Sequence, residues 1–169
     1  MEGVTSLVLI PQAVDGTEKP LIAGGGFCDG RSLMVALALG AEGVNMGTRF
    51  MATKECPVPE AVKQKMVESP ETSTVIVMQS LGNPSRVFRN AWAEKILELE
   101  NQGASLEELA PYISGEAGRT GWLQGDLEKG LFSVGQAVGR VHDIPTVAEL
   151  IQQIVTEAME VKTKLDQIF

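Results

Sequence analysis

Two short glycine turns hold most of the residues in this sequence that could bind a ligand, the first at Gly24-Gly25-Gly26 and the second at Gly47-Thr48. Because glycine has no Cβ, its backbone N–H group can approach an anion closely, and the Thr48 hydroxyl adds a further donor. Two such turns side by side are typical of a phosphate-binding site. The residues alone leave a second interpretation open, in which the glycines only make tight turns between strands and helices.

The elements around the two turns are predicted to be a strand, a helix and a second strand. Residues 21–23 and 43–46 are short apolar strands, and residues 31–39 between them are rich in good helix formers. Asp29 precedes the helix as its N-cap, and Gly40 stands where a left-handed residue ends a helix. This order predicts parallel strands, so both turns leave the sheet at one edge, with the positive end of the helix dipole beside them.

The segment around the two turns resembles the nitronate monooxygenase family, formerly called 2-nitropropane dioxygenases. The family carries a GG-x-x-DGR motif and an N/Q-M-G-T-R-F motif, and both are present here, as GGFCDGR at 25–31 and NMGTRF at 45–50. The similarity continues through SLGNPSRVFRNAWAE and GQAVGRVHDIPTVAELI, so it covers nearly the whole chain. Family members are FMN-dependent (β/α)8 barrels in which these motifs follow the seventh and eighth strands.

The resemblance implies an α/β fold that forms the C-terminal part of a (β/α)8 TIM barrel, namely strands seven and eight with their helices. A complete barrel takes about 250 residues, and this sequence has 169. Residues 1–53 and 145–169 are expected to form the partial barrel that binds FMN. Residues 54–144 are expected to form a mostly helical insertion on the substrate side. In a partial barrel, the apolar inner strand faces are expected to be exposed, at Leu21, Ala23, Val44 and Met46.

The resemblance also assigns the FMN phosphate and ribityl chain to residues of the two turns. They are Gly25, Gly26, Asn45, Met46, Gly47 and Thr48. Arg31 and Arg49 are candidate cations beside the phosphate. The family's catalytic histidine belongs to a G-H-x-G segment that is expected upstream of Met1, so no catalytic residue is assigned to this chain.

The implied function is that of an FMN-dependent oxidoreductase that oxidises alkyl nitronates or nitroalkanes with O2, here without its N-terminal catalytic half. Two alternatives stay open. One is an NAD(P)H:quinone reductase on the same scaffold, and the other is a non-catalytic fragment that binds flavin or phosphate. The expected partners are a small-molecule substrate and either the missing N-terminal half or a second copy of the chain.

The remaining elements are predicted from local patterns. Residues 4–14 have the composition of a strand, whereas the resemblance makes them a helix with Pro11 near its first turn. Ser105 and Thr146 begin helices through capping boxes with Glu108 and Glu149. Helices are also predicted at 59–68, 86–101 and 127–138, a strand or buried coil at 73–78, and a loop that contains Trp122 at 115–125.

Other residues with chemical potential each have a plain structural explanation. His142 lies in a turn ahead of the last helix, which favours a solvated side chain over a catalytic base. Arg86 and Arg89 suit an anionic ligand, but on a helix at 86–101 they are more typical of a solvated face. Gly135-Gln136 resembles a family position that faces the flavin, and a packing role explains it equally well.

Charge and cysteine content exclude several kinds of partner. The net charge of −8 and the isoelectric point of about 4.7 argue against nucleic acid and against an anionic membrane surface. No apolar run approaches the length of a membrane span. Cys28 and Cys56 show no metal-ligand spacing, so no metal is expected. Reduced thiols in a cytoplasmic protein are expected instead, with Cys28 filling space in its loop.

Overall fold

The computed structural model of the protein describes residues 3–115, Arg119 and 125–168. Most of the predicted loop at 115–125, with Trp122, lies outside the described residues. The elements, in chain order, are α1 Ser6–Asp15, β1 Ile22–Gly24, α2 Gly30–Ala38, β2 Gly43–Asn45, α3 Gly47–Met51, α4 Glu60–Val67, β3 Thr74–Val77, β4 Ser85–Phe88, α5 Ala91–Asn101, α6 Leu106–Ile113, a 3₁₀ helix Gln136–Arg140, and α7 Val147–Asp166.

The β1–α2–β2 unit has the element order that the sequence predicted. Its strands are parallel, and their register places Ala23 opposite Val44. Asp29 begins α2 through a capping box in which its carboxylate accepts the Ser32 N–H and the Ser32 hydroxyl accepts the Asp29 N–H. Gly40 ends the helix at a φ of 93°, a conformation that favours glycine. Both glycine turns therefore leave the sheet at the carboxyl ends of its strands.

Helix α7 packs against α2 and closes the core of this unit. The predicted capping box is confirmed, because the Thr146 hydroxyl accepts the Glu149 N–H and the Glu149 carboxylate accepts the Thr146 N–H. One face of α7 is buried and the opposite face stays exposed. The buried cluster is made of Ile10, Ala23, Phe27, Ala36, Ala41, Met46, Leu150 and Ile154.

The exposed face of β1 differs from the predicted one. Ala23 and Met46 were expected on the exposed inner face, and this is wrong because both belong to the buried cluster between the sheet and its helices. Leu21 and Val44 were expected there too, but they are partly buried and pack against the same cluster. Ile22, one residue earlier, is instead 59% exposed. Side chains alternate between the two faces of a strand, so the helices cover one face and leave Ile22 on the other.

Helix α1 confirms that residues 4–14 are mainly helical. Pro11 nevertheless lies inside the helix rather than near its first turn. Ile10 is its buried side chain, whereas Leu7, Val8 and Leu9 are exposed. No helix in the described part of the chain is both long enough and apolar enough to cross a bilayer.

The segment 86–101 corrects the predicted single helix. Ser85–Phe88 is strand β4, which pairs antiparallel with β3. Helix α5 begins only at Ala91, where Asn90 is the N-cap and its side chain accepts the Ala93 N–H. Val87 was predicted on the apolar face of that helix. It is buried, but as a strand residue paired with Val75 across the hairpin.

Residues 127–138 are also not a helix. Ser133 forms a bridge with Val87, and the Phe88 N–H donates to the Phe132 carbonyl at 2.9 Å, so this segment runs along the hairpin. Only the short 3₁₀ helix Gln136–Arg140 follows. Phe132 is fully buried. The region 54–144 thus combines helices with a β-hairpin, and its status as a separate domain stays a prediction.

Candidate functional site

The two glycine turns lie in one cleft of about 450 Å³ between the β1–α2–β2 unit and the segment that precedes the 3₁₀ helix. Five of the six residues predicted to bind a ligand line it, and Met46 does not because its side chain belongs to the buried cluster. The lining residues are Gly25, Gly26, Phe27, Asn45, Gly47, Thr48, Met51, Arg86, Ser133, Val134, Gly135 and Ala137.

The glycines of the two turns differ in what requires a glycine at each position. Gly25 and Gly26 have φ values of 94° and 86°, which other residues adopt only under strain. Gly47 has no such φ, and a Cβ added to it would meet no atom of the described part of the chain within 4 Å. Neither backbone strain nor packing within the chain therefore requires glycine at position 47. The open space beside Gly47 is the kind of close approach that a bound ligand uses.

Thr48 joins the two walls of the cleft. Its hydroxyl accepts the N–H of Gly135 at 2.9 Å, across 87 positions of sequence. A hydroxyl accepts and donates at the same time, so the Thr48 O–H stays able to donate to a ligand. Gly135 lines the cleft as the family resemblance implied, while Gln136 is not among the lining residues.

Two backbone donors at the start of helix α2 are already used within the chain. The Gly30 N–H donates to the Glu157 carboxylate at 2.8 Å, and the Ser32 N–H donates to Asp29 at 2.8 Å. These two amides of the first turn are thus satisfied by carboxylates of the chain itself. The start of α3 at Gly47 is different, because it has no side-chain cap.

The two cations predicted beside the phosphate do not line the cleft and form ion pairs with carboxylates of the chain. Arg49 is 3% exposed and bridges to Asp143 at 2.5 Å, while Arg31 bridges to Asp29 at 2.9 Å. The cation that does line the cleft is Arg86, on β4. The sequence named Arg86 as a candidate for an anionic ligand, but the helix predicted at 86–101 favoured a solvated position for it. The signal that could have shown a strand is the β-branched and aromatic pair Val87-Phe88, which follows the turn residues Asn83-Pro84.

A second cavity of about 220 Å³ lies behind the first glycine turn, beside α7. Cys28 and His142 line it, and neither lines the glycine cleft. Burial raises the pKa of the Cys28 thiol from 9.0 to about 11, the Asp29 carboxylate acts in the same direction, and Arg49 opposes both. No group of three or more His, Cys, Asp or Glu side chains in the described part of the chain could hold a metal ion.

A cleft at the carboxyl edge of parallel strands, lined by two glycine turns, defines an α/β protein with a site suited to an anionic ligand. Comparison with protein families gives the particular relationship. The nitronate monooxygenase family model matches residues 1–157. The chain belongs to the nitronate monooxygenase family.

Individual relatives are similar over parts of their length. The chain is 33% identical over 195 residues to (3aS,4S,5R,7aS)-5-hydroxy-7a-methyl-1-oxo-octahydro-1H-indene-4-carboxyl-CoA dehydrogenase of Mycobacterium tuberculosis, covering 92% of this chain and 55% of that protein. It is 36% identical over 99 residues to a probable nitronate monooxygenase of Staphylococcus saprophyticus, covering 59% of this chain and 28% of that protein.

Solved structures show the same fold. The structure of FabK from Thermotoga maritima superimposes with a TM-score of 0.91 at 37% identity, covering 100% of this chain and 53% of that chain. Nitroalkane oxidase from Streptomyces ansochromogenes superimposes with a TM-score of 0.79 at 22% identity, covering 96% of this chain and 46% of that chain. The chain thus spans about half the length of FabK and of the mycobacterial dehydrogenase.

Proposed function

We propose that this chain is the FMN-phosphate-binding part of a flavin-dependent oxidoreductase of the nitronate monooxygenase type. Family membership supports the class, and the glycine cleft supports the ligand. The observation that carries the proposal is the open space at Gly47, a glycine that neither the backbone conformation nor the chain's own packing requires. The substrate class proposed from the family is an alkyl nitronate or nitroalkane oxidised with O2.

The residues of the cleft fit a phosphate monoester. Gly25, Gly26 and Gly47 each leave open space where a Cβ would stand, so phosphate oxygens can reach the backbone. The first N–H groups of α3, at Gly47 and Thr48, have no acceptor within the helix, and both residues line the cleft. Asn45 lies at the end of β2, where its amide can bond to a polar chain beyond the phosphate.

The division of labour follows from these residues. When bound, FMN supplies the redox chemistry through its isoalloxazine ring. The residues of this chain bind and orient the phosphate end. No histidine lines the cleft among the described residues, since His142 lines the second cavity. The base that removes a proton from the substrate is therefore proposed to come from outside this chain.

The same proposal extends to the fold. β1 and β2 are proposed as strands seven and eight of a (β/α)8 barrel, with α2 and α7 as their helices. The chain's coverage of about half of FabK supports this assignment. The partner that completes such a barrel is proposed to be a polypeptide that carries the first six strands.

The test measures the binding of FMN and of riboflavin to the chain and to its Gly47→Val variant. Binding is monitored by flavin fluorescence. Wild-type chain is expected to bind FMN more tightly than riboflavin, because riboflavin lacks the phosphate. Gly47→Val is expected to abolish this binding, since its branched side chain fills the space proposed for phosphate oxygens. A Cβ at position 47 meets no protein atom, so the variant is expected to keep its circular dichroism spectrum.

Thr48→Ser and Thr48→Val are the matched pair for the second turn. Serine keeps the hydroxyl that accepts from Gly135, whereas valine keeps the shape and removes it. Thr48→Val is expected to weaken FMN binding about ten- to a hundredfold, the effect of one hydrogen bond to a charged group. Equal affinity of the wild-type chain for FMN and riboflavin would contradict the assignment of this cleft to a phosphate.

A further inference from the structure

Arg86 is the charged side chain among the residues that line the glycine cleft. Its guanidinium Nη1 donates to the Thr74 hydroxyl at 3.0 Å, and Thr74 is buried. Both residues belong to the β3–β4 hairpin, whose register places Arg86 opposite Ile76. The hairpin therefore fixes the direction of this half-buried cation, which lies on the wall opposite the two glycine turns.

Arg86 has no carboxylate within salt-bridge distance in the described part of the chain. Its side chain donates instead to a neutral hydroxyl, that of Thr74. A partly buried charge loses hydration, and a counter-charge is the usual compensation. The arginines that do have carboxylate partners are Arg31 and Arg140 with Asp29, Arg49 with Asp143, and Arg89 with Glu94.

The absence of an internal partner matters because the chain as a whole is acidic, with a net charge of −8. Carboxylates are plentiful, yet the cleft has none among its lining residues. A phosphate monoester carries close to two negative charges near neutral pH. Glycine N–H groups offer dipoles to such a group but no net charge. A guanidinium offers both charge and paired donors in a fixed geometry.

We infer that Arg86 supplies the counter-charge for the phosphate of the ligand in the glycine cleft. This inference rests on the proposed function and names the residue that selects a phosphorylated flavin over an unphosphorylated one. It replaces Arg31 and Arg49, whose guanidinium groups are engaged by Asp29 and Asp143. The hairpin thus contributes to phosphate binding as well as the glycine turns.

The experiment compares FMN and riboflavin affinities, by fluorescence titration, in wild-type chain, Arg86→Met, Arg86→Lys and Arg89→Met. Arg89 is the matched control: it is three residues away, pairs with Glu94, and lies outside the cleft. Arg86→Met is expected to reduce the ratio of FMN to riboflavin affinity about ten- to a hundredfold. Arg86→Lys keeps the charge and is expected to retain part of that ratio. Arg89→Met is expected to leave it unchanged.

The ratio of FMN to riboflavin affinity tests the proposed function and the inference about Arg86 separately. Wild-type chain without preference for FMN would overturn the proposed function, and this inference with it. Wild-type preference that persists in Arg86→Met would overturn the inference alone, whether both affinities stay constant or both fall together through a loosened hairpin. A reduced ratio in Arg89→Met equal to that in Arg86→Met would also overturn it, because total charge rather than position would then be the cause.

Discussion

At the scale of single residues, Cys28 shows how the surroundings of the glycine motif control reactivity. Its side chain is 4% exposed in the loop between β1 and α2. Desolvation and the neighbouring Asp29 carboxylate both disfavour the thiolate, and together they outweigh the attraction of Arg49 and Arg31. Because the thiolate is the nucleophilic form, a buried thiol with a raised pKa is inert at neutral pH. This agrees with the prediction that Cys28 fills space.

The prediction for Cys28 concerns its alkylation by iodoacetamide as a function of pH. The pKa of about 11, against 9.0 for an ordinary thiol, lowers the thiolate population near pH 8 about a hundredfold. In a Cys56→Ser chain, Cys28 is expected to react slowly and to accelerate as the pH rises from 9 towards 11. The raised pKa favours the folded state below pH 9, and this contribution is lost as the pH rises through 11.

Two controls accompany that measurement. The same Cys56→Ser chain unfolded in urea is expected to alkylate at the rate of a free thiol, and a Cys28→Ser chain reports on the partly exposed Cys56. Alkylation of folded and unfolded Cys28 at equal rates near pH 8 would show that the thiol is neither buried nor perturbed.

At the scale of elements, the contact between α2 and α7 explains the glycine of the DGR motif. A Cβ built on Gly30 would stand 2.4 Å from the Ala158 nitrogen and 2.5 Å from the Ile154 carbonyl oxygen. These are backbone atoms of α7, so they cannot move without displacing the helix. The Gly30 N–H also donates to Glu157 on α7. The motif residue thus brings two helices together, and its role in the cleft is indirect.

Gly30→Ala is accordingly expected to destabilise the chain by about 1–3 kcal/mol, the range for overpacked sites. The better helix propensity of alanine returns at most about 1 kcal/mol of that. The measurement is urea unfolding followed by circular dichroism at fixed protein concentration. Gly115→Ala is the matched control, because a Cβ at Gly115 meets no atom of the described residues within 4 Å. Equal unfolding midpoints for the two variants would rule out the tight α2–α7 contact.

Local sequence determined the elements whose signals are local. Asp29, Gly40, Thr146 and Ser105 each act at a helix end through neighbours only a few residues away, and all four were predicted correctly. The prediction at Ser85–Phe88 was wrong because the apolar residues of this strand also fit a helical period. Pairing with β3 makes this segment a strand. The paired residues are separated by the loop between β3 and β4, so no local pattern shows their contact.

The candidate site divides in the same way. The glycine turns were predictable because their residue types and spacing are the signal. Arg86 was not, since its position in the cleft depends on the hairpin and on the Ser133 segment folding back along it. The pairing of Arg49 with Asp143 was equally hidden, because 94 positions separate the two residues.

At the scale of the whole molecule, several polar contacts join the segment from β1 to α3 to the part of the chain that precedes α7. Thr48 accepts from Gly135, Arg49 bridges to Asp143, and Arg140 bridges to Asp29. The first contact holds the wall of the cleft near Gly135 against the second glycine turn, and the two ion pairs line the second cavity. The other edge of β1 has no strand partner, because β1 pairs with β2 alone among the described residues.

The unpaired edge of β1 leads to the prediction for the whole molecule, which is self-association. A two-stranded sheet is marginal by itself, and an unpaired strand edge beside an exposed apolar side chain favours pairing with another chain. Ile22, on β1, is 59% exposed. The chain is expected to form concentration-dependent oligomers in size-exclusion chromatography with light scattering. Ile22→Lys is expected to shift the population towards monomer, because a charge on the edge strand opposes strand pairing.

Leu106→Lys is the matched control for that shift, since Leu106 is 60% exposed at the start of α6, in another part of the fold. If general surface hydrophobicity drove association, both variants would reduce it alike, whereas an edge-specific contact responds to Ile22→Lys alone. The proposed barrel adds a further expectation: a polypeptide carrying the first six strands of a family barrel should compete with self-association, because both occupy the free edge of β1. A wild-type chain that stays monomeric at every concentration would contradict self-association through the free edge of β1.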